Sequence, residues 1–338
     1  MKVLLIDGSS MLSTDYYGSA PFKKPYESDK EYFAKILHTT IDGETVYTNA
    51  VSVMLKTILT LIKIWNPDKI CVALDESRSS TFRREKYPLY KGNRGNTPMP
   101  LRQQKNTIYE ILNKINITTY MHPYYEADDI LYTISKEYKN ADDIYIVTKD
   151  HDYWQIASQE NVTIWMPQLS YDKATELYNK FQLIDDRMGK PTCIKKMVPY
   201  KTNEIYIESG VFPEMIAEWK GITGDKSDNI PGIKNVNLAA APLLMHYGSI
   251  DNIYNAIDSD EKAFEKTCKE VLNIKRSPLK AFKSDKANAY LSAELATMVD
   301  VPLELINYNT EDLNVNINRP ELLKIIKKYN INSLNNYL

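Results

Sequence analysis

The chain has 338 residues, more than one ordinary domain holds, and its 43% hydrophobic and 25% charged residues exclude a disordered or low-complexity protein. No apolar run is long enough to cross a bilayer, and the stretch before Asp7 is too short for a signal peptide, so no membrane partner and a cytoplasmic location are expected. Cys71, Cys193 and Cys268 lack disulfide-framework or zinc spacing, and a net charge of −2 leaves polyanion binding to be decided by where the charges sit.

KVLLID reads as a buried strand over residues 2–6 that ends at Asp7. Residues 18–48 read as an irregular insertion, and 49–65 as an amphipathic helix. A second buried strand, 69–74, ends at Asp75. Between Arg78 and Lys105 the basic residues Arg78, Arg83, Arg84, Lys86, Lys91, Arg94, Arg102 and Lys105 face a single acid, Glu85. Phe82, Tyr87 and Tyr90 are interleaved with them, which suits phosphate contacts and base stacking on a single strand, although a solvated basic face would read the same way. RGNTPMP at 94–100 is a loop.

Helical periodicity at 101–115 and 128–139 alternates with strands at 117–121, 144–148 and 162–166. YDKATELYNKF reads as a helix, Pro191 to Pro199 as extended chain, and 213–220 as a helix. After Gly232 come helices at about 237–247, 261–272 and 285–298, and a last one opened by Pro320. This order predicts an α/β fold: a mostly parallel central sheet flanked by helices over 1–222, followed by a smaller helical domain over 223–338.

Nine carboxylates fall in five clusters, four of them at or just after a strand end or the helix start that follows. They are Asp7; Asp75; Glu126, Asp128 and Asp129; Asp150 and Asp152; and Asp225 and Asp228. In parallel sheets the ligand site forms beyond the carboxyl ends of the strands, so these acids predict their own active-site edge. Helix capping accounts for one or two of them, notably in EADD, but not for the set. Gathered carboxylates repel one another and call for a cation, and an oxygen-only set favours Mg²⁺, with Mn²⁺ as a substitute, over zinc. Two such ions can activate water and stabilise the leaving oxygen in phosphodiester cleavage.

The series LLIDGSS, ALDES, TFRREKYPLYKGNR, YEADD, VTKDHD and GDKSDNIPG, in that order over residues 1 to about 250, resembles the 5′ nuclease family. That family includes flap endonucleases, the 5′ nuclease domain of bacterial DNA polymerase I and phage 5′ exonucleases. The insertion at 18–48, the YYEADD context and the divergent carboxy-terminal half are most similar to phage RNase H of the T-even type. The resemblance implies a PIN-like core, two or more Mg²⁺ ions held by the nine acids, and a basic arch over about 78–105. It implies that Lys91 and Arg83 approach the scissile phosphate, with Arg84, Lys86, Tyr90 and Arg94 beside them as substrate contacts. In the helix–hairpin–helix element that grips duplex in the family, Gly232 is present but a second hairpin glycine is missing and Pro242 falls in the following helix. Duplex is then held by Lys226, Lys234 and backbone N–H groups.

The expected activity is Mg²⁺-dependent 5′ to 3′ exonuclease and flap endonuclease action, by a monomer, on DNA and on RNA in RNA·DNA hybrids. This suits RNA-primer removal in phage replication, in the host cytoplasm. A haloacid-dehalogenase-type phosphatase needs a second acid where Ser9 stands, and a non-catalytic replication factor would be expected to have lost some of the acids. NINSLNNYL at the end reads either as a docking segment for a single-strand-binding protein or sliding clamp, or as a tail whose Leu334 and Leu338 pack back on the domain.

Overall fold

The structure, a computed structural model, describes residues 1–77 and 79–338; Arg78, at the head of the basic segment, lies outside the described residues. The strands are β1 (Lys2–Asp7), β2 (His38–Ile41), β3 (Glu44–Tyr47), β4 (Lys69–Ala73), β5 (Thr118–Tyr120), β6 (Asp143–Val147), β7 (Val162–Pro167) and β8 (Met197–Tyr200). Six of them form one sheet in the order β5-β4-β1-β6-β7-β8, parallel except for β8, which runs antiparallel to β7. The predicted mostly parallel sheet is therefore present, and β1 sits at its centre with β4 on one side and β6 on the other.

Helices α1 (Gly8–Ser19), α2 (Asp29–Phe33), α3 (Asn49–Trp65), α4 (Phe82–Lys86), α5 (Met99–Lys114) and α6 (Ala127–Glu137) alternate with the first strands. Strand residues alternate between faces, so Leu4 and Ile6 of β1 pack with Met54, Leu55 and Ile58 of α3 while Val3 and Leu5 pack with Ile130 and Ile134 of α6. The core is thus a sheet with an apolar layer on each side. Asn66 in the left-handed region ends α3.

Beyond β7 come α7 (Tyr171–Phe181), α8 (Thr192–Lys195), α9 (Thr202–Ser209) and α10 (Ile216–Thr223), then α11 (Asn237–Tyr247), α12 (Ile250–Ser259), α13 (Glu261–Glu270), α14 (Leu279–Ser284), α15 (Lys286–Ala296) and α16 (Arg319–Lys328). Helices α10 to α15 extend the apolar layer that covers Val3 and Leu5. Residues 319–338, expected in the carboxy-terminal domain, instead return to the opposite face of the sheet, where Leu322, Ile325 and Leu334 pack with Ile108 and Ile111 of α5. Leu334 is 0% exposed, in line with the reading in which it packs back on the domain, whereas Leu338 is 39% exposed.

Residues 18–48, expected to be irregular, contain the β2–β3 hairpin. Its turn, Asp42–Gly43, holds both residues at positive φ, 52° and 85°, the mirror-image turn that matches strand twist. In the hairpin after α10, Gly224 and Gly232 are packed so closely that a Cβ on Gly232 would lie 2.2 Å from the Gly224 nitrogen. Three residues after Gly232, Asn235 takes the left-handed conformation at φ 62°. Helix α11 continues through Pro242.

Candidate active site

The carboxyl ends of β1, β4 and β6 open into a cleft of about 690 Å³ lined by Asp7, Asp75, Glu126, Asp128, Asp150 and Asp225, together with Lys91, Arg94, Lys149 and Lys220. Asp7 caps α1 by accepting from the Ser10 N–H at 2.9 Å, and Thr148 donates to its other oxygen at 2.7 Å. Asp75 accepts from the Ala127 N–H at 2.9 Å, which ties the end of β4 to the start of α6. Asp150 caps the short turn that follows β6 by accepting from the Asp152 N–H at 2.9 Å. Capping and cleft lining are thus jobs of the same side chains. Asp129, Asp152 and Asp228 lie behind this surface, all of them buried.

Electrostatics separates the acids. Burial, with Asp75 and Asp150 nearby, pushes the Asp7 carboxyl up to about 7. Burial raises Asp128 as well, reinforced by Asp129, and it raises Asp150 against the pull of Lys220. Burial also acts to raise Asp225, but Lys220 and the Ser227 hydrogen bonds outweigh it and hold that carboxyl well below the ordinary range. Several cleft acids are therefore short of positive charge, and the donors they offer are all oxygens, although the His151 imidazole also lines the cleft. This donor set fits hard divalent cations. Among the described residues no three acidic, His or Cys side chains already converge as a ready-made metal shell. Lysines bridge them instead, Lys91 between Glu126 and Asp228 and Lys220 between Asp152 and Asp225.

The basic segment is a strap fastened across the cleft. After α4 it drops onto the 225–230 turn: Lys91 N–H donates to the Asp228 carbonyl at 2.8 Å, Asn93 Nδ2 to the Lys226 carbonyl at 2.7 Å, and Asn229 Nδ2 to the Leu89 carbonyl at 2.7 Å. Lys91 sits at φ 51° and turns its ammonium onto Glu126, 3.6 Å from Asp228. Burial disfavours its charge, but Tyr90, Glu126 and Asp228 more than offset this and raise its pKa. Arg94, exposed at the rim, pairs with Asp228 and donates from Nε to the Ser227 carbonyl at 3.2 Å.

Four expectations from the sequence are corrected by burial and bonding. Arg83 does not face the cleft: it is 1% exposed and its guanidinium donates to Asp129 at 2.6 and 2.8 Å, to Glu126 at 3.0 Å, and to the carbonyls of Leu295 and Thr297 at 2.8 and 2.9 Å. Asp129, at 0% exposure, is accordingly the partner of Arg83 and not a ligand presented to the cleft. Tyr90 is no stacking platform, since its ring is buried with Ile230, Leu295 and Ala296 and its hydroxyl donates to Glu126 at 2.9 Å and Asp228 at 3.1 Å. Gly232 is buried and gives its N–H to Ser292 Oγ at 2.9 Å, so that group is not free for a phosphate.

Lys86 pairs with Glu294, and Arg84 donates to the Tyr90 carbonyl. Lys226 and Lys234 are exposed, although the Lys234 N–H is bonded to Asp285 at 3.1 Å. Cleft residues that the sequence did not single out include Glu208, His151 and Lys220, the last a buried cation inside α10.

The family model described as 5′-3′ exonuclease, N-terminal resolvase-like domain, matches residues 2–188. The chain belongs to the 5′-3′ exonuclease family. The companion model, 5′-3′ exonuclease, C-terminal SAM fold, matches residues 211–320. A 5′-3′ exonuclease of Buchnera aphidicola (subsp. Acyrthosiphon pisum) is 30% identical over 308 residues, covering 90% of this chain and 88% of that protein. DNA polymerase I of Caldicellulosiruptor bescii is 29% identical over 338 residues, and the chain spans only 33% of its length. Among solved structures, the T5 D15 protein crystallised with metal ions shares the fold with a TM-score of 0.59 at 16% identity, covering 97% of this chain and 99% of that one. T5 5′-exonuclease with bound zinc ions gives 0.58 at 17% identity, with coverage of 97% and 99%.

Proposed function

We propose that the chain is a Mg²⁺-dependent 5′ to 3′ exonuclease and flap endonuclease that acts on DNA and on the RNA strand of RNA·DNA hybrids, and that it serves in RNA-primer removal as a phage RNase H of the T-even type does. The observation that carries this reading is the cleft in which seven carboxylates, six of them at the ends of three strands, at the start of α6 and on the 225–228 turn and the seventh Glu208, meet Lys91. Asp7, Asp75, Glu126, Asp128, Asp150 and Asp225 would hold the ions, with Asp152 and Asp228 completing the set from behind. Bound divalent ions supply a water that ionises near neutral pH and neutralise charge on the phosphate.

The side chains of the chain do the rest. Lys91 is positioned by the strap to stabilise charge developing on the scissile phosphate. Arg94, Lys226 and Lys234, exposed along the rim and the hairpin, contact the phosphate backbone. Tyr90 and Arg83 hold Glu126 in place from behind, by hydroxyl and guanidinium hydrogen bonds.

Asp128→Asn tests the reading. It removes a cleft carboxylate and some repulsion toward phosphate, so cleavage of a 5′-flap substrate should fall by about two orders of magnitude or more while binding, measured by fluorescence anisotropy, stays level or tightens. Undiminished turnover in this variant would refute the metal assignment.

A further inference from the structure

Lys220 lies inside α10, is 5% exposed, and pairs with Asp152 and, at 2.8 Å, with Asp225 Oδ2. The two acids come from separate parts of the chain, the turn after β6 and the turn after α10, so one ammonium joins the sheet edge to the hairpin. A buried ammonium is tolerated where carboxylates accept its protons, and both acceptors here belong to the acidic cleft set. The opposite end of the cleft differs. Among the described residues, the carboxylates of Asp7 and Asp75 have no basic side chain within ion-pair distance and accept from backbone N–H and hydroxyl groups, while the Lys105 ammonium donates at 3.0 Å to the Asp75 backbone carbonyl. Asp128 has Arg83 at 4.0 Å.

We propose that Lys220 is a resident counter-ion of the Asp152–Asp225 end of the cleft, which a divalent cation must displace, so that the two ends load unequally. The Asp7–Asp75–Asp128 end takes the first ion, because among the described residues no lysine is paired with its carboxylates. At the other end an incoming ion must break the Lys220–Asp152 ion pair and the charge-assisted Lys220–Asp225 hydrogen bond before it gains the same oxygens. Lys220 is therefore a positioning residue that acts through Asp152 and Asp225. The inference rests on the reading that the cleft holds divalent ions.

The test is a Mn²⁺ titration of the full chain without nucleic acid, with free Mn²⁺ read by electron paramagnetic resonance. The wild-type chain should show one tight site and a second at least about tenfold weaker, the scale of a lost charge-assisted contact. Lys220→Met should tighten the second site by about tenfold and leave the first unchanged, and Lys220→Arg, which keeps the charge, should titrate like the wild type. If Lys220→Met does not fold, Lys220→Gln, which keeps a donor for Asp225 but no charge, carries the same expectation. Two equal sites in the wild type, or a second site that Lys220→Met and Lys220→Gln leave unchanged or weaken, would overturn the inference while leaving the metal cleft intact. No Mn²⁺ bound by any form would overturn both.

Discussion

Arg83 and Lys91 sit eight residues apart in the same basic segment, yet the fold gives them opposite environments. Arg83 is enclosed, with acceptors on α6 and at the end of α15, and its planar fork matches the Asp129 carboxylate bidentately. Removing it strands a buried carboxylate, so Arg83→Ala should lower unfolding free energy by about 3–5 kcal/mol in urea titrations. Lys91 reaches the cleft, and Lys91→Ala should reduce kcat more than it weakens substrate binding. An equal loss confined to affinity would make Lys91 a phosphate contact only. The sequence could not separate the two, because what buries Arg83 is contributed by Asp129, Leu295 and Thr297, far away in the chain. Lys220 was missed for a related reason: one lysine in a short helix has no local mark that distinguishes it from a surface residue.

At the scale of the element, α1 carries a charge that its packing disfavours. Burial pushes the Asp15 carboxyl up to about 7, with Lys149 pulling the other way, and its Oδ2 has no hydrogen-bond partner. Between the ordinary carboxylate range and pH 7 the folded chain therefore holds a proton that the unfolded chain releases. The stability that proton supplies is present at low pH and is lost as pH rises through about 7. Asp15→Asn should raise the melting temperature at pH 8 and change it little at pH 5, and an equal shift at both would show that Asp15 does not titrate in this way. The elements themselves were largely legible: α3 and α7 have the predicted bounds, because apolar residues recur at helical spacing over several turns. The β2–β3 hairpin was readable from the Asp42–Gly43 pair between β-rich runs, but strands of four residues without an apolar face give little periodicity. The strap was legible only as composition; its attachment to the 225–230 turn depends on backbone contacts that no spacing encodes.

The whole molecule is closed by its own tail. Residues 319–338 cover the sheet face opposite the carboxy-terminal helices, with Leu334 fully buried and the Tyr337 hydroxyl 2.6 Å from Thr60 Oγ1 on α3. Leu334→Ala should cost about 2–5 kcal/mol in chemical denaturation, and a change within about 0.5 kcal/mol would show that the tail contributes no core packing. The five acidic clusters, by contrast, were legible as a set because a parallel sheet brings strand ends to one edge wherever they lie in sequence. The central claim is that this edge is a metal-dependent 5′ nuclease centre. The measurement that tests it most directly is cleavage of a 5′-labelled flap duplex and a matched RNA·DNA hybrid, with Mg²⁺ and with EDTA, resolving product lengths. Short products released from the 5′ end of both substrates with Mg²⁺, and none with EDTA, are expected. Binding of both substrates with no cleavage of either would contradict the account and mark the chain as a non-catalytic nucleic-acid-binding protein.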